Sequence, residues 1–565
     1  MKSEQSYSRF VIKFISISVL LTVISLLVFQ RHQNTGYFNW RSKMWGDAVG
    51  YYIYSPALFI YGFDASKLPE KITEKTGEGF IINETGKIVT RYSCGVAILQ
   101  APVFLAVHWI AGFTGQDQDG FSGIYHLVTS LAAILYSFLG ILLLWHFLQN
   151  YFNKWISSLA VLTVFAGTNL LYYTIDATGM SHVYSFFLFA LLLVLSKKYF
   201  SETEYRSRLK YFIPLSIVSS LIILIRPTNL AFVGLVFLLD VRTWQDFTAR
   251  LRQVFTPVNI VILVVSFLLV FLPQMIYWNY SSGSVVTDSY AGYGFTNWAS
   301  PKIREFLFST NNGLFTYNPL YFIVLAALIF MIVKKEMNGW FILAVFGGLI
   351  YVFSSWFIFS FGCGFGSRNF VEYTTIFTLP LGYLFQHSIA FLKWIRRFII
   401  FVIVLFVLIN IKLVSAYDKC FLGKDWDLKE YSYYLKSRKL NKRTLYFKSE
   451  LLTSTKEFSK GINVNLKNST LVNFRRAVVS VDAEIYSLNS EASIVLAIVS
   501  NDSTIYWNGY PLKNSYDFNK LGEKQRIKGD FWFPREFTTN SNLSAYIWNM
   551  NKDSLQVSRI KIHLE

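Results

Sequence analysis

GVAILQAPVFLAVHWIA, residues 95–111, is the stretch on which the fold turns. It carries no Lys, Arg, Asp or Glu, and about 17 residues is the lower limit for a helix that crosses a bilayer. Whether it crosses decides the side of every later loop. Hydropathy places about eleven other spans, at residues 11–29, 124–147, 155–173, 182–196, 211–225, 229–241, 258–278, 313–333, 339–357, 374–391 and 398–414. Starting inside and alternating, the cytoplasmic loops collect Lys154; Lys197, Lys198, Arg206, Arg208 and Lys210; Arg242, Arg250 and Arg252; Lys334 and Lys335; Lys393, Arg396 and Arg397. Such clustering of basic residues on one side is what orients a polytopic chain. Counting 95–111 as a span would move every one of those clusters outside. It is therefore expected to be an interfacial helix.

Composition agrees with a membrane protein. The 565 residues are 53% hydrophobic, 18% aromatic and 15% charged, against about 25% charged in ordinary soluble domains. The net charge of +19 lies largely in short loops between apolar runs. Membrane orientation explains it better than nucleic-acid binding, which is not expected. Cys94, Cys363 and Cys420 are too few for a disulfide scaffold and show no metal-ligand spacing. The run at 11–29 follows Lys2 and Arg9 and ends in Gln30-Arg31-His32-Gln33. It is longer than a signal core and has no small-residue cleavage site, so an uncleaved first span with a cytoplasmic N-terminus is expected. Residues 229–241 are short for a full span, which predicts a broken or tilted helix after the turn at Arg226-Pro227-Thr228-Asn229.

This topology predicts three outer loops, at 30–122, 279–312 and 360–373. In the first, 51–63 is aromatic and apolar enough to lie on the membrane. Residues 80–89 read as a β-hairpin, with apolar β-formers flanking Asn83-Glu84-Thr85-Gly86. The third holds Phe361-Gly362-Cys363-Gly364-Phe365-Gly366-Ser367-Arg368. The expected division is a transmembrane domain at 1–415, a linker at 416–447 with a helix over 425–435, and an extracytoplasmic domain at 448–565. Short alternating runs at 462–466, 477–486, 493–499, 503–507, 545–548 and 558–564, separated by turn residues, give the last domain the pattern of a β-sandwich. Trp507, Tyr510, Trp532 and Trp548 suit either a sugar platform or the core of so small a domain, and core is the expectation.

Three motifs suggest chemistry. Asp47 lies in Trp45-Gly46-Asp47-Ala48-Val49-Gly50-Tyr51-Tyr52, shortly after the first span. Arg91-Tyr92-Ser93-Cys94-Gly95 leads into Gln100-Ala101-Pro102-Val103-Phe104. Gly366-Ser367-Arg368-Asn369-Phe370-Val371-Glu372 sits in the third outer loop. Over residues 1–415 this arrangement resembles the GT-C superfamily of polytopic membrane glycosyltransferases, including its protein-mannosyltransferase-like and aminoarabinose-transferase-like members. The resemblance implies an integral protein of a bacterial inner membrane. It implies transfer of a hexose or pentose, with inversion, from a polyprenyl-phosphate donor to a glycan, lipid or protein acceptor. Asp47 matches the acid that follows the first span in that superfamily. Ala48 stands where some branches carry a second acid, which leaves a divalent cation open and no metal ligand assigned.

The chemistry needs a base for the acceptor hydroxyl and cations for the departing phosphate. Asp47 is the candidate catalytic base, and Arg368 and Arg226 the candidate phosphate-binding residues. His182, Tyr51, Tyr52, Tyr290 and Glu372 are candidate substrate contacts. Plainer roles stand beside these. Asp47 could cap a helix starting at Ala48, and Arg368 and Glu372 could form an i,i+4 pair. Arg226 could snorkel, His182 could simply be packed, and the tyrosines could belong to an aromatic belt. Asp117 and Asp119 read as a polar turn, since a calcium loop needs a longer ligand series. The rival classes are a lipid or glycan transporter, or flippase, and a non-catalytic envelope assembly protein. A transporter usually places ionisable groups within its spans and shows internal repeats. The middles of these spans are nearly free of such groups and no repeat is evident, which favours an enzyme.

Overall fold

The computed structural model describes residues 2–33, 35, 37, 38, 42–290, 292–336, 338–417, 428, 431, 432, 435, 443–447, 456–465, 476–488, 490–500, 502–516, 520–532 and 541–564. The chain divides into two compact units. One comprises Met1–Gln30, Gly46–Thr73 and Glu78–Leu435, and the other Arg31–Trp45, Glu74–Gly77 and Lys436–Glu565.

Helices run in the order α1 (Lys2–His32), α2 (Asp47–Tyr52), α3 (Tyr54–Phe59), α4 (Ile72–Lys75), α5 (Gly95–Phe113), α6 (His126–Leu148), α7 (Lys154–Gly167), α8 (Leu170–Ile175), α9 (Ser181–Ser201) and α10 (Tyr205–Ile225). They continue as α11 (Leu230–Leu235), α12 (Trp244–Val254), α13 (Pro257–Ser282), α14 (Ile303–Phe308), α15 (Leu314–Tyr317), α16 (Leu320–Val333), α17 (Gly339–Ser354), α18 (Thr374–Ser388) and α19 (Lys393–Ala416). Helix α9 is apolar around most of its circumference and packs against α6 and α10 at the centre of the first unit. Helices α13 and α19 instead leave one apolar face open, including Val261, Leu269, Ile276, Phe398, Phe401 and Leu408. Such faces suit lipid rather than water.

By length and composition, seven helices among the described residues can cross a membrane: Ile15–His32, Gly95–Phe113, Gly123–Leu148, Ser181–Ser201, Tyr205–Ile225, Pro257–Ser282 and Lys393–Ala416. Lys154–Gly167, Pro227–Leu238, Leu320–Val333 and Gly339–Ser354 are shorter apolar helices. Residues 95–111 therefore form a helix, α5, that length alone does not separate from the spans. The expectation that it stays interfacial rests on the charges of the loops.

Two expected single spans, 155–173 and 313–333, are broken, and 229–241 is broken as expected. The stretch 155–173 splits into α7 and α8 around an extended Thr168. Residues 229–241 become α11 and a short 3-10 turn, Val236–Leu238. The stretch 313–333 breaks at Asn318-Pro319, where proline disfavours a helical residue before it. A break in an apolar bundle frees carbonyls that need donors. At Thr168 the donor is Asn410 on α19, whose buried Nδ2 bonds the carbonyls of Ala166 (2.8 Å) and Thr168 (2.9 Å).

The first outer loop differs from expectation in one respect. Residues 51–57 do not lie on a surface: Tyr51, Tyr52, Ile53, Tyr54 and Ala57 are buried in the protein, and Leu58 and Phe59 are the exposed apolar side chains. Once folded back, these aromatics pack on α5, as Tyr52 does on Phe104. The hairpin is present as β1 (Ile81–Ile82) and β2 (Ile88–Val89), with Asn83 Oδ1 accepting from the backbone of Thr85 and Lys87. Asp119 Oδ1 accepts from the amides of Phe121 and Ser122, the polar turn that was expected. The expected helix over 425–435 lies mostly outside the described residues.

The second unit contains two four-stranded antiparallel sheets, ordered β3-β10-β5-β8 and β4-β9-β6-β7. The strands are β3 (Arg443–Phe447), β4 (Ile462–Asn465), β5 (Arg476–Ile485), β6 (Ser493–Ser500), β7 (Ser503–Pro511), β8 (Gln525–Trp532), β9 (Ser541–Trp548) and β10 (Leu555–Leu564). Alternate residues of both sheets, among them Val479, Val481, Leu496, Ile498, Ile547 and Ile562, share one core, so the unit is a sandwich. Strands β3 and β8 were not expected, because charged and polar residues interrupt Gln525–Trp532 and Arg443–Phe447 is short. Tyr510 is core, but Trp507 is 49% exposed, contrary to expectation; the side chain of Trp532 lies outside the described residues.

Two predictions follow from these contacts. Asn410→Leu leaves two carbonyls without donors and should destabilise the first unit by about 1–3 kcal/mol. In thermal unfolding of detergent-solubilised protein, lipid-facing Ile411→Ala should shift the midpoint far less. On β5, the bond from Arg526 Nε (2.7 Å) holds the Asp482 carboxyl below the usual carboxylate range. A depressed carboxyl gives stability that is full above the unfolded value of about 3.9 and is lost as pH falls through the lower folded value. Asp482→Asn should therefore destabilise the sandwich at pH 6 and make no difference in strong acid, as read by hydrogen exchange of peptides from β5 and β8.

Candidate active site

Asp47 is placed by small residues around it. Gly46, at φ 54° and ψ −125°, turns the chain so that α2 starts at Asp47 itself, and a left-handed φ favours glycine there. A Cβ at Gly50 would collide with the Tyr92 ring and the Gly79 carbonyl. Bare Gly50 thus lets Tyr92 lie across α2 and donate its hydroxyl to Asp47 Oδ1. Burial, and then the Asp47 carboxylate, hold the Tyr92 hydroxyl far above the usual tyrosine range, so it stays a donor. Asp47 makes no helix cap. Tyr51 packs on Tyr92, with ring centroids 4.4 Å apart, and its hydroxyl donates to Ser181 Oγ at 3.3 Å.

Arg368 arrives from the loop after α17, which other elements pin. Asn169 Nδ2 bonds the Ser367 carbonyl (3.1 Å), Ser367 Oγ donates to the Asn312 carbonyl (3.1 Å), and the Tyr417 hydroxyl donates to the Gly364 carbonyl. Arg368 Nη1 then reaches Asp47 Oδ2 at 3.2 Å and the Cys363 carbonyl at 3.4 Å. Its buried Nε has no hydrogen-bond partner among the described residues. Burial works against the guanidinium charge, but Asp47 outweighs it and raises the pKa. The i,i+4 pair with Glu372 does not form: 368–370 is a 3-10 turn, and Glu372 bonds elsewhere.

Glu372 is fully buried between two partners. Arg226, extended before Pro227, places Nη1 3.3 Å from Glu372 Oε1 and 2.7 Å from Asn369 Oδ1. On the other side, His182 Nδ1 lies 3.1 Å from Glu372 Oε2. Burial opposes the Glu372 charge, yet Arg226 and His182 together hold its pKa below the usual value. An ionised Glu372 only accepts, so Nδ1 of His182 carries the proton. His182 Nε2 is buried without a hydrogen-bond partner among the described residues, and its ring centroid lies 4.4 Å from that of Tyr173.

The two clusters adjoin. Arg226 interacts electrostatically with Tyr51, Arg368 and Tyr290. Burial, Tyr51 and Asp47 push the Tyr290 hydroxyl up to about 12 against the opposing arginines. The sequence candidates Asp47, Tyr51, His182, Arg226, Tyr290, Arg368 and Glu372 therefore gather in one place. Tyr52 does not: its hydroxyl donates to the Gly120 carbonyl and its ring packs on Phe104 and Phe121. Tyr92 and Asn369 lay within the quoted motifs without a role, and Tyr173 was not singled out. No spacing announces them, because their partners are distant in the chain.

Among the described residues, no three of His, Cys, Asp and Glu gather as a metal-ligand set. The cation beside Asp47 is Arg368.

No family model and no curated protein matches the chain. Among solved structures, it is similar to the archaeal oligosaccharyltransferase AglB from Archaeoglobus fulgidus in complex with an inhibitory peptide and a dolichol-phosphate. Identity is 13%, coverage 71% of this chain and 56% of that one, and the TM-score 0.40. It is also similar to ArnT from Cupriavidus metallidurans in the apo state, with 13% identity, coverage of 76% and 68% respectively, and a TM-score of 0.44. This chain thus spans little more than half the length of the oligosaccharyltransferase.

Proposed function

We propose that the chain is a membrane glycosyltransferase that moves a sugar from a polyprenyl-phosphate donor to a glycan, lipid or protein acceptor on the extracytoplasmic side. The observation that carries this reading is the junction of Asp47, its side chain 38% exposed, with Arg368 and a second arginine, Arg226. A carboxylate open to an acceptor and two guanidinium groups for a phosphate are the groups that displacement at an anomeric carbon requires.

In the proposed reaction the acceptor hydroxyl approaches Asp47. Its oxygen bonds to the anomeric carbon, its proton passes to the Asp47 carboxylate, and the bond from that carbon to the phosphate oxygen breaks. A single displacement inverts the centre. Each Asp47 oxygen keeps a second lone pair beyond its bond to Tyr92 or Arg368. Among the described residues both arginines direct only Nη1 to the protein, which leaves Nη2 of each as a charged donor for phosphate. Glu372 is a positioning residue for Arg226 and His182. Tyr51 and Tyr290 flank the acceptor, and the lipid tail stays in the membrane beside the site.

Asp47→Asn should lower transfer from a synthetic short-chain polyprenyl-phosphate sugar by about 10²–10⁴-fold while leaving thermal unfolding near wild type. Wild-type turnover would exclude Asp47 as the base. Membranes of cells lacking the protein should show an altered glycan mass spectrum; an unchanged spectrum with redistributed lipid would instead mark a flippase. Removing the charge of Glu372 should act differently. Glu372→Gln strands Arg226 in a buried site and should cost about 3–5 kcal/mol of stability, seen as poor recovery of folded protein. Arg368→Lys should fold normally and raise the donor KM, because an ammonium cannot offer paired donors.

A further inference from the structure

The outer face of sheet β4-β9-β6-β7 carries a group of rings that the proposed reaction does not use. Residues alternate along these strands, so Leu543, Ala545 and Ile547 enter the core while Tyr546 and Trp548 point outward. On β7, Trp507 stands opposite the small Ala497. Its indole reaches over Gly509, where an added Cβ would lie 3.6 Å from Cη2. Trp507 and Trp548 meet edge-on at 5.7 Å and 75°, and Phe458 lies parallel to Trp548 at 6.2 Å and 12°. Both indole N–H groups are held by the protein: Trp507 donates to the Tyr546 hydroxyl and Trp548 to Glu457 Oε1, each at 3.3 Å. Phe458 remains 51% exposed and Trp507 49%.

We infer that this face is a binding platform for a neutral pyranose glycan. A pyranose ring has a flat C–H face and a rim of hydroxyls. Aromatic faces complement the first, and Glu457, Asn463 and Ser544 along the same face supply acceptors and donors for the second; Ser544 Oγ already donates to Asn463 Oδ1 at 2.6 Å. Rings fixed by their edges lose little freedom when a ligand arrives, which favours binding. An indole laid along a sheet, as Trp507 is over Gly509, offers a flat ligand a flat support. The inference stands on the sandwich alone and does not require the proposed transfer reaction.

The test uses the full chain in a detergent without a sugar headgroup. It is titrated with cellohexaose, maltohexaose and α-mannohexaose and followed by tryptophan fluorescence and calorimetry. At least one hexasaccharide should bind saturably. Trp507→Ala should weaken that binding tenfold or more, Trp507→Phe should retain part of it, and Asp47→Asn should leave it unchanged. Where Trp507→Ala fails to fold, Phe458→Ala and Trp507→Phe decide instead, and both should bind more weakly than wild type. No saturable binding to any of the three sugars overturns the proposal, as does wild-type binding by the decisive variants. Loss in those variants of attachment to phosphatidylglycerol vesicles alone, with sugar binding intact, also overturns it and assigns the face to lipid.

Discussion

A carboxylate with no access to water needs a donor on each oxygen, and Glu372 is that carboxylate here. Its side chain is fully buried, with Arg226 on one oxygen and His182 on the other. Each partner comes from a different part of the bundle: His182 from the start of α9, Arg226 from the end of α10, and Glu372 from the turn before α18. The low dielectric that penalises a lone charge strengthens a satisfied set. One electrostatic requirement thus fixes how these three elements meet. The proposed chemistry borders this set, because Arg226 is also within electrostatic reach of Tyr51, Tyr290 and Arg368.

The outer group at Asp47 follows a looser rule. Its oxygens are held by Tyr92 and Arg368, but part of the carboxylate stays open. A buried, satisfied acid and a neighbouring open one suit different tasks: the first organises, and the second is free to meet a ligand. Gly46 by its left-handed φ, and Gly50 by letting backbone and ring approach closely, make the second arrangement possible. This dependence on the absence of side chains is invisible to hydropathy.

The sequence was legible where a rule is local. Long uncharged runs became helices, alternating runs became strands, and Asn83-Glu84-Thr85-Gly86 became a hairpin turn. Much of the site was legible too, because Asp47, Arg226, His182, Arg368 and Glu372 are polar residues at the edges of apolar runs. What could not be read was pairing. The near-helical spacing of Arg368 and Glu372 suggested a bond between them, but each bonds a residue far away in the chain. The break at Thr168 was hidden for the same reason: an apolar run looks continuous until Asn410, more than two hundred residues later, supplies donors for the freed carbonyls. Trp507 misled in the opposite direction, since an aromatic on an alternating strand looks like core whichever face it takes.

The order in which the chain is made gives the Glu372 cluster a further meaning. His182 and Arg226 are synthesised well before Glu372, which follows them by 190 and 146 residues. Until the turn after α17 emerges, the bundle holds a guanidinium without its counter-charge. The buried set that ties the start of α9 to the end of α10 is therefore complete only once Glu372 has been made.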